Sequence, residues 1–138
     1  METAHLKLTN AISELDKLRE LIEGTVVGQW GLAPAVGMSV NLALEEAFAN
    51  IVQYAFRDQG PHVIELFFQW NGNRLVVTIT DDGHAFNPTK KEDPDTTLPA
   101  GERPIGGLGI LLVRKIMDKV EYERTGNQNK LILTKTIF

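Results

Sequence analysis

Apolar residues recur at spacings of three and four from Pro34 to about Phe56, and Val36, Val40, Leu44, Ala47, Phe48, Ile51 and Ala55 fall on one stripe of a helix. Pro34 suits the first turn of that helix, since proline has no amide hydrogen to leave unpaired there. Upstream, Leu15, Leu18, Leu21, Ile22 and Val26 give a second apolar face, so a helix capped by Asn10 is expected to run to about Val27, with Gly28 to Gly31 breaking it. Leu6 to Leu8 alternates weakly and predicts a first strand. His62 to Trp70 and Arg74 to Thr80 are rich in β-branched and aromatic residues; Gly60-Pro61 turns into the first run, and Asn71-Gly72 connects the two as a hairpin. Asp81-Asp82-Gly83 then ends the second run. Another helix over Ile110 to Met117 precedes two strands, Val120 to Arg124 and Lys130 to Phe138, around Gly126-Asn127. Hairpin-linked strands with helices before and between them predict an α+β, two-layer sandwich: a mostly antiparallel mixed sheet with helices on one face.

One stretch breaks the pattern. From Asn87 to Pro104 periodicity is lost, and four of the six prolines of the chain lie there, Pro88, Pro94, Pro99 and Pro104. A long irregular segment inside a small domain predicts a lid or a binding loop.

The 138 residues suit a single domain spanning 1–138, and 43% hydrophobic content suffices for an ordinary core. With no cysteine, there is neither a disulfide framework nor cysteine-ligated zinc. The start lacks the charged and apolar regions of a secretion signal, and no long apolar run follows, so a soluble, cytoplasmic protein is expected. A net charge of −4 and a pI near 5.3 argue against a basic face for nucleic acid or an anionic membrane, and favour a small ligand or a protein partner. His5, His62 and His84 form no metal-binding spacing. Ser13 and Ser39 sit in no nucleophile elbow.

Three motifs remain that carry chemistry. Glu46 and Asn50 are one helical turn apart and share a face roughly opposite the stripe of Leu44 and Phe48. That face is either solvated or a place where an amide oxygen meets Mg²⁺ and a carboxylate polarises a water or a hydroxyl. Because Leu42, Ala43, Ala47 and Ala49 make the helix apolar around most of its girth, the Glu46 face is expected to be partly covered. Glu45 points about a quarter turn away and is expected to be exposed. Asp81, at the end of the run Leu75, Val77, Ile79, is either a plain turn residue or a carboxylate aimed into a cleft, where it would accept from an adenine amino group, with Gly83 letting the backbone approach the base. Gly106-Gly107-Leu108-Gly109 opens the next helix, as a hinge or as a set of amides at the positive end of a helix dipole, suited to phosphate. It is neither a P-loop nor a dinucleotide fingerprint.

Taken in order, Glu-x-x-x-Asn, Asp-x-Gly and a loop leading to Gly-x-Gly resemble the GHKL ATPase superfamily, whose histidine kinase-like fold serves gyrases, heat-shock chaperones, histidine kinases and mismatch-repair ATPases. Within it, the chain looks like the anti-sigma factor serine/threonine kinases, through Glu45-Glu46-Ala47-Phe48-Ala49-Asn50-Ile51-Val52-Gln53-Tyr54-Ala55-Phe56, through Gly107-Leu108-Gly109-Ile110-Leu111-Leu112-Val113, and through Met117-Asp118-Lys119-Val120. The likeness covers nearly the whole chain. It implies the Bergerat ATP-binding fold, with ATP and Mg²⁺ as cofactors, Glu46 as general base, Asn50 as metal ligand and Asp81 with Gly83 at adenine. Gly107, Leu108 and Gly109 would lie at the phosphates, and Asn87 to Ile105 would be the ATP lid. The same resemblance implies transfer of the γ-phosphoryl to a serine or threonine of a STAS-domain anti-anti-sigma protein, capture of a sigma factor otherwise, and a homodimer. Arg19 lies where the family places a basic residue for a partner or for phosphates, and Arg103 is a further candidate anion contact. The alternative is a non-catalytic module that uses nucleotide to shape a protein-binding surface. A sensor histidine kinase is disfavoured, because His5 lies in a predicted strand. The chain departs from the family where Ala85 replaces a second glycine after the adenine aspartate. It departs again where Asn129 and Lys130 stand in the region of a strand threonine, so no nucleotide contact is assigned to either position.

Overall fold

The computed structural model describes residues 1–56, 58, 60–90 and 107–137. Strands β1 (Glu2–Thr9), β2 (Val63–Trp70), β3 (Arg74–Asp81), β4 (Lys119–Thr125) and β5 (Gln128–Thr136) form one sheet in the order β1-β2-β3-β5-β4. Every pairing among the described strands is antiparallel, in keeping with the mostly antiparallel sheet expected.

Alternation decides which face is covered. In β2, Ile64, Leu66, Phe68 and Trp70 point to the helices and are buried, and in β3 Leu75, Val77 and Ile79 do the same. The tight hairpin between them uses Gly72 at φ 91°, while the Asn71 side chain accepts from the amides of Asn73 and Arg74 at 2.9 and 2.7 Å. Register then pairs β3 with β5, placing Leu131 and Leu133 in the same inward phase and setting Asp81 opposite Asn129. Two polar residues therefore close the inward rows of neighbouring strands.

Helix α2 (Pro34–Tyr54) crosses this face, with Pro34 in its first turn as expected. Val40, Leu44, Ala47, Phe48 and Ile51 of the predicted stripe are buried in the core. Each large side chain there contributes about 1.5–3 kcal/mol by leaving water.

The first helical region is more irregular than its apolar face implied. A 3₁₀ turn (Ile12–Glu14) leads to α1 (Leu15–Leu21), which continues as a π-helical segment (Ile22–Gln29) stopped by Gly31 at φ 78°. Leu18, Ile22 and Val26 are nevertheless buried. Asn10 does not cap this helix: its side chain is spent on the loop before β2, accepting from the His62 amide at 2.9 Å and donating to the Gly60 carbonyl at 3.2 Å. The entry is held instead by Glu14, whose carboxylate accepts from the Thr9 amide at 3.0 Å.

The described chain resumes at α3 (Gly107–Ile116), which packs on α2 and buries Ile110 and Val113. Its end is capped by Lys135 Nζ on the Ile116 carbonyl at 2.8 Å. Lys115 and Ile116 line a depression together with Ala35, Val36 and Ser39 near the start of α2. No described helix is long and apolar enough to cross a membrane. The fold thus gathers the C-terminal end of α2, the end of β3 and the start of β5 at one end of the sandwich.

Candidate functional site

Asp81 occupies the inward phase of β3 one step beyond Ile79, which is why a carboxylate sits 4% exposed at the edge of an apolar core. Its Oδ1 accepts twice, from the Gly83 amide at 2.8 Å and from Asn129 Nδ2 at 2.9 Å. Its Oδ2 has no partner among the described residues. Burial pushes the Asp81 carboxyl above the ordinary carboxylate value of 3.8, with the hydrogen bonds from Asn129 and Gly83 pulling the other way.

Gly83 is required for a reason the sequence did not show. A Cβ built on it would lie 2.4 Å from the Ala55 carbonyl oxygen and 2.8 Å from the Ala55 Cβ, so the turn after Asp81 is pressed against the C-terminal end of α2. The Ala55 carbonyl accepts from the His84 amide at 2.9 Å and from His84 Nδ1 at 2.7 Å. That clamp ties the β3 loop to the helix that carries Glu46 and Asn50. With a rise of about 1.5 Å per residue, Asn50 lies about 7 Å along α2 from the contact and Glu46 about 13 Å. A ligand gripped at Asp81 and extended along α2 would meet Asn50 first and Glu46 second.

Asn50 is 5% exposed, and its Nδ2 donates to the Glu46 carbonyl at 3.0 Å, a bond to its own helix that turns the amide oxygen outward as the free end. Glu46 is half-buried, matching the expected partial cover, and its carboxylate has no hydrogen-bond partner among the described residues. One amide oxygen beside one carboxylate is a hard oxygen set. No cluster of three or more acidic or histidine side chains exists among the described residues. The set fits Mg²⁺ held by a single protein oxygen, with phosphates and water completing the shell, since that ion keeps several waters in such sites. Glu45 is not the exposed neighbour expected: its side chain is 25% exposed and accepts from Asn41 Nδ2 at 2.9 Å. Arg19 lies 3.8 Å from the same carboxylate and lines a groove between α1 and α2 with Met38 and Leu42.

Gly107, Leu108 and Gly109 form the first turn of α3, so their amides stand at a helix N-terminus. Gly106, Arg103 and positions 91–105 of the predicted lid lie outside the described residues. The lid's first residues are described: the Asn87 side chain accepts from the Thr89 amide at 2.9 Å, and Arg114 of α3 donates to the Thr89 carbonyl. Phe86, just before them, stacks on Tyr54 at 5.5 Å between ring centroids.

Sequence reasoning did not find the groups around Asp81. Asn129 Nδ2 also donates to the His84 carbonyl at 2.9 Å, and its Oδ1 accepts from Arg124 Nη1 at 3.1 Å and from the Tyr122 hydroxyl. Arg124 donates in addition to the Gly83 carbonyl at 2.8 Å. His62 stacks on Phe56 at 4.1 Å and bridges Asp58, at 2.7 Å from Nε2, to Asp82, at 3.4 Å from Nδ1. The hydrogen bond that His62 donates to Asp58 holds the ring above the ordinary histidine value of 6.5. One signal was available: Asn129 stands in phase with Leu131 and Leu133, a polar residue where the strand pattern calls for an apolar one.

Residues 8–135 match the family model for the histidine kinase-like ATPase domain. The serine/threonine-protein kinase BtrW of Bordetella bronchiseptica is 29% identical over 133 residues, 96% of this chain and 92% of that protein. The serine-protein kinase RsbW of Bacillus thuringiensis is 31% identical over 86 residues, 59% of this chain and 53% of that protein. Among solved structures, the RsbU and RsbW domains of a Mycobacterium tuberculosis protein superpose with a TM-score of 0.65 at 14% identity, covering 98% of this chain and 32% of that one. The histidine kinase domain of a blue-light activated histidine kinase from Erythrobacter litoralis gives 0.57 at 18% identity, over 90% of this chain and 59% of that one. At those identities the structures speak for the fold.

Proposed function

This chain belongs to the histidine kinase-like ATPase domain family, and from that membership we propose that it is an ATP-dependent protein serine/threonine kinase of the anti-sigma factor type. The observation that carries the reading is Asp81, a buried carboxylate with one oxygen saturated and the other free, tied through Gly83 and Ala55 to the helix of Asn50 and Glu46. Similarity to BtrW over almost the full length of both chains supports the kinase class.

In this reading Asp81 accepts from the adenine amino group, and Gly83 holds the turn that aims it. The amides of Gly107, Leu108 and Gly109 hold the phosphates at the start of α3. Asn50 offers its amide oxygen to Mg²⁺, which when bound would neutralise charge on the phosphates. Glu46 takes the proton from the incoming serine or threonine hydroxyl as its oxygen attacks the γ-phosphorus, and ADP leaves. Positioning and charge do most of the work. The acceptor is a STAS-domain anti-anti-sigma protein; the kinase, when not engaged with it, holds a sigma factor. Residues 1–138 make up one domain, which acts in the cytoplasm and as a homodimer.

Mixing the purified protein with Mg-ATP and a candidate STAS protein, and following phosphoserine or phosphothreonine by mass spectrometry, tests the reading. Transfer is expected, and Glu46→Gln should slow it by about 10²- to 10⁴-fold. Transfer by Glu46→Gln at the parent rate would remove Glu46 as base. Tight ATP binding and partner capture without any transfer would favour the non-catalytic module.

A further inference from the structure

We propose that Asn129, propped by Tyr122 and Arg124, is a positioning residue that makes the site select a 6-aminopurine, by fixing Asp81 with one oxygen consumed and the other presented to the exocyclic amino group. The inference rests on the nucleotide reading above and assigns to the start of β5 a role that the motifs leave open.

A carboxamide has one donor end and one acceptor end, and its neighbours decide which way it faces. Asn129 Nδ2 faces the Asp81 carboxylate and the His84 carbonyl, both at 2.9 Å, and the carbonyl can only accept. Its Oδ1 faces the Arg124 guanidinium at 3.1 Å and the Phe86 amide at 3.4 Å, which can only donate, together with the Tyr122 hydroxyl. A flipped amide would set oxygen against acceptors and NH₂ against donors, so one orientation is enforced. Both hydrogens of the amide are used, and Asp81 receives one of them.

Both donors that reach Asp81, from Gly83 and from Asn129, land on Oδ1. Oδ2 is left as the acceptor, and it accepts only while the carboxyl is ionised. A neutral Asp81 would carry a hydrogen and could donate to a 6-oxo group, so its protonation state separates amino from oxo purines. The charged groups that act on it are Asp82 and Arg124, with His62 reaching Asp82 at 3.4 Å, while the Tyr122 hydroxyl and the His84 carbonyl meet it through Asn129. Asp82 favours the neutral carboxyl, while Arg124 and the Asn129 hydrogen bond favour the ionised one. Removing Asn129 takes away a donor from a carboxylate that is already 4% exposed.

The experiment compares ATP with inosine triphosphate, its 6-oxo analogue, by calorimetric titration from mildly acidic to neutral pH, on the parent, Asn129→Ala and Tyr122→Phe. In parallel, the Asp81 side-chain carboxyl is titrated by carbon-13 NMR in the ligand-free proteins. The parent should prefer ATP, and Asn129→Ala should lose roughly tenfold in ATP affinity with inosine triphosphate little changed. The acid limb of ATP binding and the Asp81 midpoint should both move to higher pH. Tyr122→Phe should shift both the same way by less, and it decides the matter if Asn129→Ala does not fold. Equal losses for both nucleotides, with the Asp81 midpoint unmoved, would make Asn129 merely structural and overturn the inference. A parent that binds ATP tightly beside an Asn129→Ala protein that binds it equally well would overturn it alone. A parent that binds neither nucleotide would sink the nucleotide reading and the inference together.

Discussion

Replacing Gly83 by alanine is the smallest change that tests how the base end of the site is held to α2. The new Cβ would stand 2.4 Å from the Ala55 carbonyl oxygen, 2.8 Å from its Cβ and 2.9 Å from its carbonyl carbon. None of these atoms can rotate aside, because all belong to the backbone or are fixed by it. Relief needs a shift of about an ångström to reach ordinary contact. Such overpacking costs about 1–3 kcal/mol. The shift also strains the two hydrogen bonds from His84 to the Ala55 carbonyl, at 2.9 and 2.7 Å, each contributing about 0.5–1.5 kcal/mol. Against this, alanine narrows the unfolded ensemble by about 0.4–1 kcal/mol. A net loss of about 2–3 kcal/mol is expected, lowering the melting temperature by on the order of 5–15 °C. Urea denaturation and a thermal scan would measure it, and the same samples should bind ATP more weakly, because the Asp81–Gly83 turn moves with the clamp. A Gly83→Ala protein with the parent's urea midpoint would show that the loop and helix do not approach this closely.

Other consequences follow from the same geometry. Asp81→Asn should raise the urea midpoint at neutral pH: with a folded pKa above 3.8, Asp81 contributes stability below that pH and loses it as the pH rises through the raised value, so the variant's advantage should vanish toward acid. A variant less stable than the parent at neutral pH would contradict the burial cost assigned to that carboxylate. Asp58 is held below 3.8 and His62 above 6.5 by their hydrogen bond. His62→Gln should therefore lie furthest below the parent between those two values, and the gap should narrow at higher pH as the His62 ring loses its proton; a gap independent of pH would refute the pairing. Phe48→Ala, at a fully buried position on α2, should cost about 3–5 kcal/mol in chemical denaturation, and a loss below 1 kcal/mol would place the ring outside the core.

Much of the architecture was legible because two periodicities are strong in this chain. The stripe from Val40 to Ile51 and the alternation through Leu75, Val77 and Ile79 are read with little ambiguity, and both fall where the core is. The first helical region was harder: its apolar face from Leu18 to Val26 says nothing of a switch to π-helical winding after Leu21, which does not alter which residues are apolar. Asn10 was misread as a cap because local spacing cannot see the loop at Gly60 and His62, fifty residues away. At the site, Asp81 was visible as the end of an alternating run, whereas Asn129, Tyr122 and Arg124 come together with it only through the pairing of β3 with β5 and β5 with β4. His62 and Asp82 are likewise joined only by the fold. Chemistry that depends on one strand could be read; chemistry that depends on register could not.

In the proposed function Asp81 grips adenine through its free oxygen. Calorimetric titration with ATP and ADP, with and without magnesium, on the parent and on Asp81→Asn tests it most directly. An ionised acceptor lost from a desolvated site is worth about 1.5–3 kcal/mol, a drop of roughly 10- to 150-fold for both nucleotides, and the drop should be present whether or not magnesium is added. Asp81→Asn binding ATP and ADP as tightly as the parent would contradict the account at its base.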